Sequence, residues 1–270
     1  MKSIFRTFDR QWTKGRLFLL RHGVVGRRYR TIQRMSRNPI LIGGCRRSGT
    51  TLLLSLLSAH PDIYAVPHET TAFSPGCYGD NVDLSAAFNI DFLYDHLRRE
   101  DVPLEEYRRW CEKSPMNVRF AERALQYFGD EARFLHIVRD GRDVVTSRHP
   151  NAPNQYFVPP ERWIEDVSHG HRVESHPRVM TIRYEDLVAD HVSMMEGVCT
   201  FVGESFEEKA FRAYPDTSQF QESSAWFGTA REVNASSVGR WKKDEHRAAV
   251  EDLVSRSEAV ELLTHYGYID

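Results

Sequence analysis

Asn38 to Gly44 reads NPILIGG, a short unbroken apolar run closed by two glycines, and it leads directly into CRRSGTTLLLSLLSAH. That order predicts a buried strand, a tight loop and then a helix. The helix should begin near Ser48 or Gly49, carry Leu53, Leu56 and Leu57 inward, and end ahead of Pro61. Asp62 to Val66 predicts a second strand. Residues 84–112 alternate apolar and charged positions at helical spacing, and Asn117 to Tyr127 does the same with Val118, Ala121, Ala124 and Leu125, so both are expected as covering helices. Arg133 to Val138 (RFLHIV) and Val179 to Arg183 (VMTIR) predict further strands, each followed by a charged turn and a helical pattern. Residues 150–160, rich in Pro and Asn, and 217–238, rich in Ser, Ala and Gly, read as long functional loops. Strand alternating with helix implies an α/β, three-layer fold with a central, mainly parallel sheet flanked by helices.

With 270 residues, 41% hydrophobic and 27% charged, the chain can bury one large core. No stretch approaches the roughly 20 apolar residues of a membrane helix. The start MKSIFRTF lacks the apolar core and cleavage site of a secretory signal, so a cytoplasmic location is expected. Cys45, Cys77, Cys111 and Cys199 form no CxxC pair, which points to free thiols rather than a zinc or disulfide framework. Net charge is −2, yet residues 1–40 hold eleven Lys or Arg against Asp9 alone. Residues 1–37 are therefore set apart as a basic N-terminal extension, either a solvated helix packed on the domain or an arm for peripheral contact with an anionic membrane. Nucleic acid is not an expected partner.

Gly44 and Gly49, with four residues between them, match the first half of the phosphate loop GxxxxGK[ST]. Loop amides and a following helix N-terminus suit a phosphate, which makes the fold P-loop-like. The lysine slot holds Thr50, however, and the strand RFLHIV leads into Arg139 rather than a magnesium-binding carboxylate. A nucleotide kinase needs both missing parts. Arg47, Thr50 and Thr51 without a metal suit a transferred group of lower charge than a γ-phosphate, such as a sulfuryl group. A noncatalytic nucleotide binder is the other alternative.

CRRSGTTLL resembles the 5′-phosphosulfate loop of sulfotransferases that use 3′-phosphoadenosine 5′-phosphosulfate (PAPS), with Arg47 in the basic position before SGTT. IVRDGRDVVTS, from Ile137 to Ser147, resembles the same family's 3′-phosphate motif, in which an Arg and a Ser eight residues later hold that phosphate. RYEDL from Arg183 and GRW from Gly239 extend the resemblance, so residues 38–270 are expected to form a single sulfotransferase domain. The resemblance implies PAPS as co-substrate, no metal, and nucleotide contacts from Arg46, Arg47, Ser48, Gly49, Thr50, Thr51, Arg139, Ser147, Tyr184 and Arg240. A guanidinium pairs with a phosphate through two charge-assisted hydrogen bonds, so two phosphates call for two such grips.

The PHET segment is similar to the branch containing protein-tyrosine sulfotransferases, where a Glu before Thr is the catalytic base. That implies Glu69 as base, with His68 the competing candidate. Lys113 of EKSP stands where related enzymes carry a Lys at the sulfuryl group, and with Arg47 it would stabilise the leaving oxygen. A serine from the pairs 223–224 or 236–237 offers a further hydroxyl. The acceptor is expected to be a hydroxyl, on a small molecule, a carbohydrate or a peptide tyrosine, or an amine.

Overall fold

The computed structural model describes residues 38–74, 84–90, 93, 97, 106–149, 151–221 and 229–270. The basic extension, Cys77 and the serine pair at 223–224 lie outside the described residues. Five parallel strands form the central sheet in the order β2-β3-β1-β4-β7. They are β1 (Pro39–Gly43), β2 (Ile63–Ala65), β3 (Arg109–Lys113), β4 (Arg133–Val138) and β7 (Val179–Arg183). β1 is flanked on both sides, Ile40 lying opposite Cys111 of β3 and Arg133 of β4. Its five residues are all buried, as expected of a parallel strand covered on both faces.

Two cores sandwich the sheet. On one face Ile40, Ile42, Leu135 and Ile137 pack with Leu53, Leu54, Leu56 and Leu57 of α1 (Thr50–Leu57). On the other, Leu41, Phe134 and Trp110 meet Phe73, Ala121, Ala124 and Leu125. Asn117 to Tyr127 is helical as expected, a 3-10 turn Pro115–Phe120 leading into α2 (Ala121–Phe128). A third cluster lies under the motif that follows β4. There Val144 and Val145 of α3 (Gly141–Val145) pack with Trp163 of α4 (Pro160–Val173) and with Leu262 and Leu263 of the C-terminal helix.

Two expectations need correction. Residues 109–112, the end of the stretch read as helical, belong to β3, which pairs with β1 in the sheet. Its sequence RWCEK hides the strand because its charges are buried and paired: Arg109 Nε reaches Glu204 Oε1 at 2.6 Å, and Glu112 and Lys113 serve the site described below. Residues 150–160 are not simply a loop, since β5 (Arg148–His149) and β6 (Ala152–Tyr156) pair as an antiparallel ribbon.

From β1 the chain passes through α1 to the outer strand β2, returns to β3, and then crosses to β4 on the other side of β1. The order therefore reverses between β1 and β4. The crevice beyond the carboxyl ends of strands at such a reversal is where open α/β sheets bind ligands.

Candidate active site

The loop after β1 turns sharply into α1. Gly49 caps that helix with φ 96° and ψ 14° and, being glycine, brings no capping side chain to its N-terminal amides. A Cβ there would lie 2.4 Å from the Tyr184 ring, so only glycine fits. Gly44 is excluded from change by close approach, since a Cβ would meet the Ile137 carbonyl at 2.3 Å. Arg47 adopts φ 70°, a left-handed conformation costing a non-glycine residue of order 1–3 kcal/mol. Its carbonyl is tied down by Arg139 Nη1 at 3.1 Å.

A cavity of about 500 Å³ opens over this loop, lined by Arg47, Gly49, Thr50, Thr51, Arg139, Ser147, Tyr184 and Arg240 among others. The structure thus brings eight of the predicted nucleotide residues to one wall. Arg139 is almost wholly buried; its guanidinium stacks on the Tyr184 ring at 4.4 Å and donates to the Ser237 carbonyl at 2.5 Å. Its Nε is buried without a hydrogen-bond partner, an orphaned charged donor of the kind an anion would satisfy. Arg47 is exposed at the cavity mouth; partial desolvation lowers its guanidinium pKa, and the neighbouring Arg139 and Arg240 push the same way against Tyr184. A gathering of cations of this kind suits an anion.

Asp143 and Ser237 complete the wall. Asp143 accepts from the Gly239 and Trp241 backbone amides at 2.8 and 3.1 Å, pinning the GRW turn over the cavity. Ser237 Oγ and Tyr184 Oη share a hydrogen bond of 2.6 Å. Asp143 lies within the quoted RDGRD motif; nothing local signals that it grips a segment 96 residues away. Ser147 Oγ donates to the Asp143 carbonyl at 2.8 Å.

Glu69, Lys113 and Arg46 stand outside that lining. Lys113 ends β3, beside β1, and its Nζ donates to Glu69 Oε1 at 2.5 Å. The ammonium is buried while Glu69 is about one-third exposed, so the carboxylate keeps an open side. Burial lowers the Lys113 pKa, opposed by Glu69 and Glu112, with Arg46 adding to the lowering. Of the two loop arginines, Arg47 lines the cavity, whereas the Arg46 guanidinium lies over the Phe157 ring at 5.8 Å. The loops nevertheless adjoin, because the Gly44 amide donates to the Pro115 carbonyl at 3.0 Å. His68 is half-buried next to Glu69.

Glu112 organises this second centre. It is fully buried, and its Oε1 accepts from the Thr70 amide (3.3 Å), the Thr70 hydroxyl (2.9 Å) and the Ser114 hydroxyl (2.6 Å). Its Oε2 accepts from Asn117 Nδ2 at 2.7 Å, and Asn117 also reaches the Ile42 carbonyl in β1. Burial pushes the Glu112 carboxyl above its ordinary range, with the Ser114, Asn117 and Thr70 hydrogen bonds pulling it back. The network also holds Thr71 at φ 51°, unusual for a β-branched residue, through the Ser114 hydroxyl at 3.2 Å. A charged residue within a strand-length segment was the one signal that could have drawn attention to Glu112.

The model of the sulfotransferase family matches residues 39–208. A protein-tyrosine sulfotransferase of Drosophila melanogaster is 27% identical over 190 aligned residues, covering 60% of this chain; the match spans only 37% of that protein's length. The sulfotransferase domain of the Synechococcus PCC 7002 olefin synthase superposes with a TM-score of 0.57 at 19% identity, covering 86% of this chain and 95% of that one. A sulfotransferase from Alicyclobacillus acidocaldarius gives 0.53 at 18%, covering 87% and 97%. The mouse sulfotransferase SULT7A1, solved with PAP, gives 0.53 at 16%, covering 86% and 89%. At these identities the solved structures establish the P-loop-like fold, and the family model, which takes in well over half of the chain, establishes that this protein belongs to the sulfotransferase family.

Proposed function

We propose that the chain transfers a sulfuryl group from PAPS to an acceptor hydroxyl by in-line displacement. The observation that carries this reading is the convergence of the loop after β1 with Arg139 and Ser147 on one cavity, beside the Glu69–Lys113 pair. In it, the α1 amides, Thr50 and Thr51 hold the 5′-phosphosulfate, and Arg139 with Ser147 and Arg240 holds the 3′-phosphate. The spent donor PAP is bound in the mouse neighbour, which supports the same nucleotide here.

The bond from the acceptor oxygen to sulfur forms as the bond from sulfur to the 5′-phosphate oxygen breaks. Glu69 takes the acceptor's proton through its open side. Lys113 and Arg47 offset the negative charge that grows on the leaving oxygen. No step is assigned to a metal. Asp143, the buried carboxylate of the cavity wall, commits both oxygens to backbone amides, which disfavours it as a magnesium ligand. The acceptor class to test first is a tyrosine hydroxyl, because the Drosophila relative is a protein-tyrosine sulfotransferase. Carbohydrate and small-molecule hydroxyls complete the panel.

Incubation with sulfur-labelled PAPS and tyrosine peptides, sugars and phenols tests the proposal. Transfer of label with release of PAP in a metal-chelated buffer is expected, and Arg139→Ala should abolish it. Transfer of phosphate from magnesium ATP in place of sulfuryl transfer would overturn the reading in favour of a kinase.

A further inference from the structure

Three donor atoms converge at the ends of α4 and the C-terminal helix (Ser257–His265), away from every residue assigned to sulfuryl transfer. His171 Nδ1, Glu174 Oε1 and His265 Nε2 all lie within 4.8 Å of one another. Glu174 Oε1 is 3.0 Å from the first nitrogen and 2.8 Å from the second, and the imidazole centroids are 4.2 Å apart. Glu174 is the C-cap of α4, so its backbone is fixed by the helix end, its amide donating to the His171 carbonyl. Tyr266 Oη donates to Glu174 Oε2 at 3.0 Å. That outer hydrogen bond orients the carboxylate and leaves Oε1 to the histidines, as outer-shell partners do at metal sites.

Two imidazoles and one carboxylate form a donor set suited to zinc and its neighbours, and poorly suited to magnesium or calcium, which take oxygen ligands. Tetrahedral bonds of about 2.0–2.2 Å place ligand atoms roughly 3.3 Å apart. The two histidine–carboxylate separations need to widen by only a few tenths of an ångström and the two imidazole nitrogens to close from within 4.8 Å, movements open to side chains that are 42%, 25% and 42% exposed. The same exposure gives an ion its route in and leaves the fourth position to water.

We propose that His171, Glu174 and His265 bind one divalent ion of the zinc class, which staples the end of the C-terminal helix to the end of α4. The site stands independently of the sulfuryl-transfer reading, because its test does not measure activity.

The test uses the full chain, stripped with a chelator and titrated with zinc chloride alone. One equivalent should be retained through gel filtration, and the melting temperature should rise by several degrees at a hundredfold excess over the dissociation constant. The double variant His171→Ala, His265→Ala should lose both effects while keeping its circular dichroism. Should that variant fail to fold, Co2+ in the unaltered protein decides: visible bands of a four-coordinate site without a thiolate charge-transfer band are expected. Absence of any zinc-dependent rise, an undiminished rise in the folded double variant, or a thiolate band with Co2+ would each overturn the proposal.

Discussion

Removing the carboxylate of Glu112 takes away the acceptor for four donors at once. In Glu112→Ala the Thr70 and Ser114 hydroxyls can rotate to new partners, whereas the Thr70 amide and Asn117 Nδ2 are fixed. Two buried N–H donors left unpaired cost about 1–3 kcal/mol each, so a loss of roughly 2–6 kcal/mol is expected. At about 2–4 °C per kcal/mol for a chain of this size, the melting temperature should fall by roughly 5–20 °C. Glu112→Gln is milder and more informative. Its carbonyl oxygen keeps the Thr70 and Ser114 donors, but its amide nitrogen faces Asn117 Nδ2, so one charge-assisted bond worth about 1.5–3 kcal/mol is lost. With Asn117 no longer holding it, the glutamine side chain can shift and carry Thr70 and the adjoining Glu69 with it, and a displacement of about 1 Å can cost 10²-fold in rate. Thermal melts, PAP binding and sulfuryl transfer should be measured side by side. The expected pattern for Glu112→Gln is a modest loss of stability, retained PAP binding and a fall in kcat of about 10²-fold. A Glu112→Ala protein that melts like the unaltered chain and turns over normally would refute the reasoning.

Gly49→Ala forces a Cβ to 2.4 Å from the Tyr184 ring, which Arg139 and Ser237 hold in place; loss of PAP binding in a calorimetric titration is expected. Glu69→Ala and Arg47→Ala should each raise the barrier by roughly 2.7–4 kcal/mol, read as a 10²–10³-fold lower kcat. Near-normal turnover in either refutes that residue's role. His136 is fully buried, and burial lowers its pKa from 6.5 to about 4. The unfolded chain takes up this proton first, so the resulting stability, roughly 3 kcal/mol, is present above pH ~6.5 and is lost as pH falls through the folded value. The urea midpoint of His136→Leu should therefore decline less between pH 7 and pH 4 than that of the unaltered chain.

How far such features could be read in advance depended on whether they were local. β1 and β4 showed plainly because a strand buried on both faces is a largely continuous apolar run, as in PILIG and RFLHIV, and the edge strand β7 showed through the apolar positions of VMTIR. The turn into α1 showed because SGTT follows such a run directly. β3 did not, because Arg109, Glu112 and Lys113 break the apolar pattern, and their partners Glu204, Thr70 and Glu69 lie 95, 42 and 44 residues away. The loop arginines were legible as a pair but not by direction: Arg47 lines the cavity, whereas Arg46 lies over the Phe157 ring. Asp143 was visible only as part of a motif, its grip on Gly239 and Trp241 being a product of the tertiary fold. The same holds for Glu174 and His265, which no sequence spacing connects.

A thermal-shift titration with PAP, beside magnesium ATP and adenosine 5′-phosphosulfate, tests the central claim most directly and requires no knowledge of the acceptor. Ligand at about a hundred times its dissociation constant adds about 2.7 kcal/mol, a rise of several degrees. The account predicts that PAP stabilises the protein in chelated buffer and that the analogue lacking a 3′-phosphate leaves Arg139 unengaged and shifts it little. Stabilisation by magnesium ATP alone, or by the two adenine nucleotides equally with and without the 3′-phosphate, would contradict it.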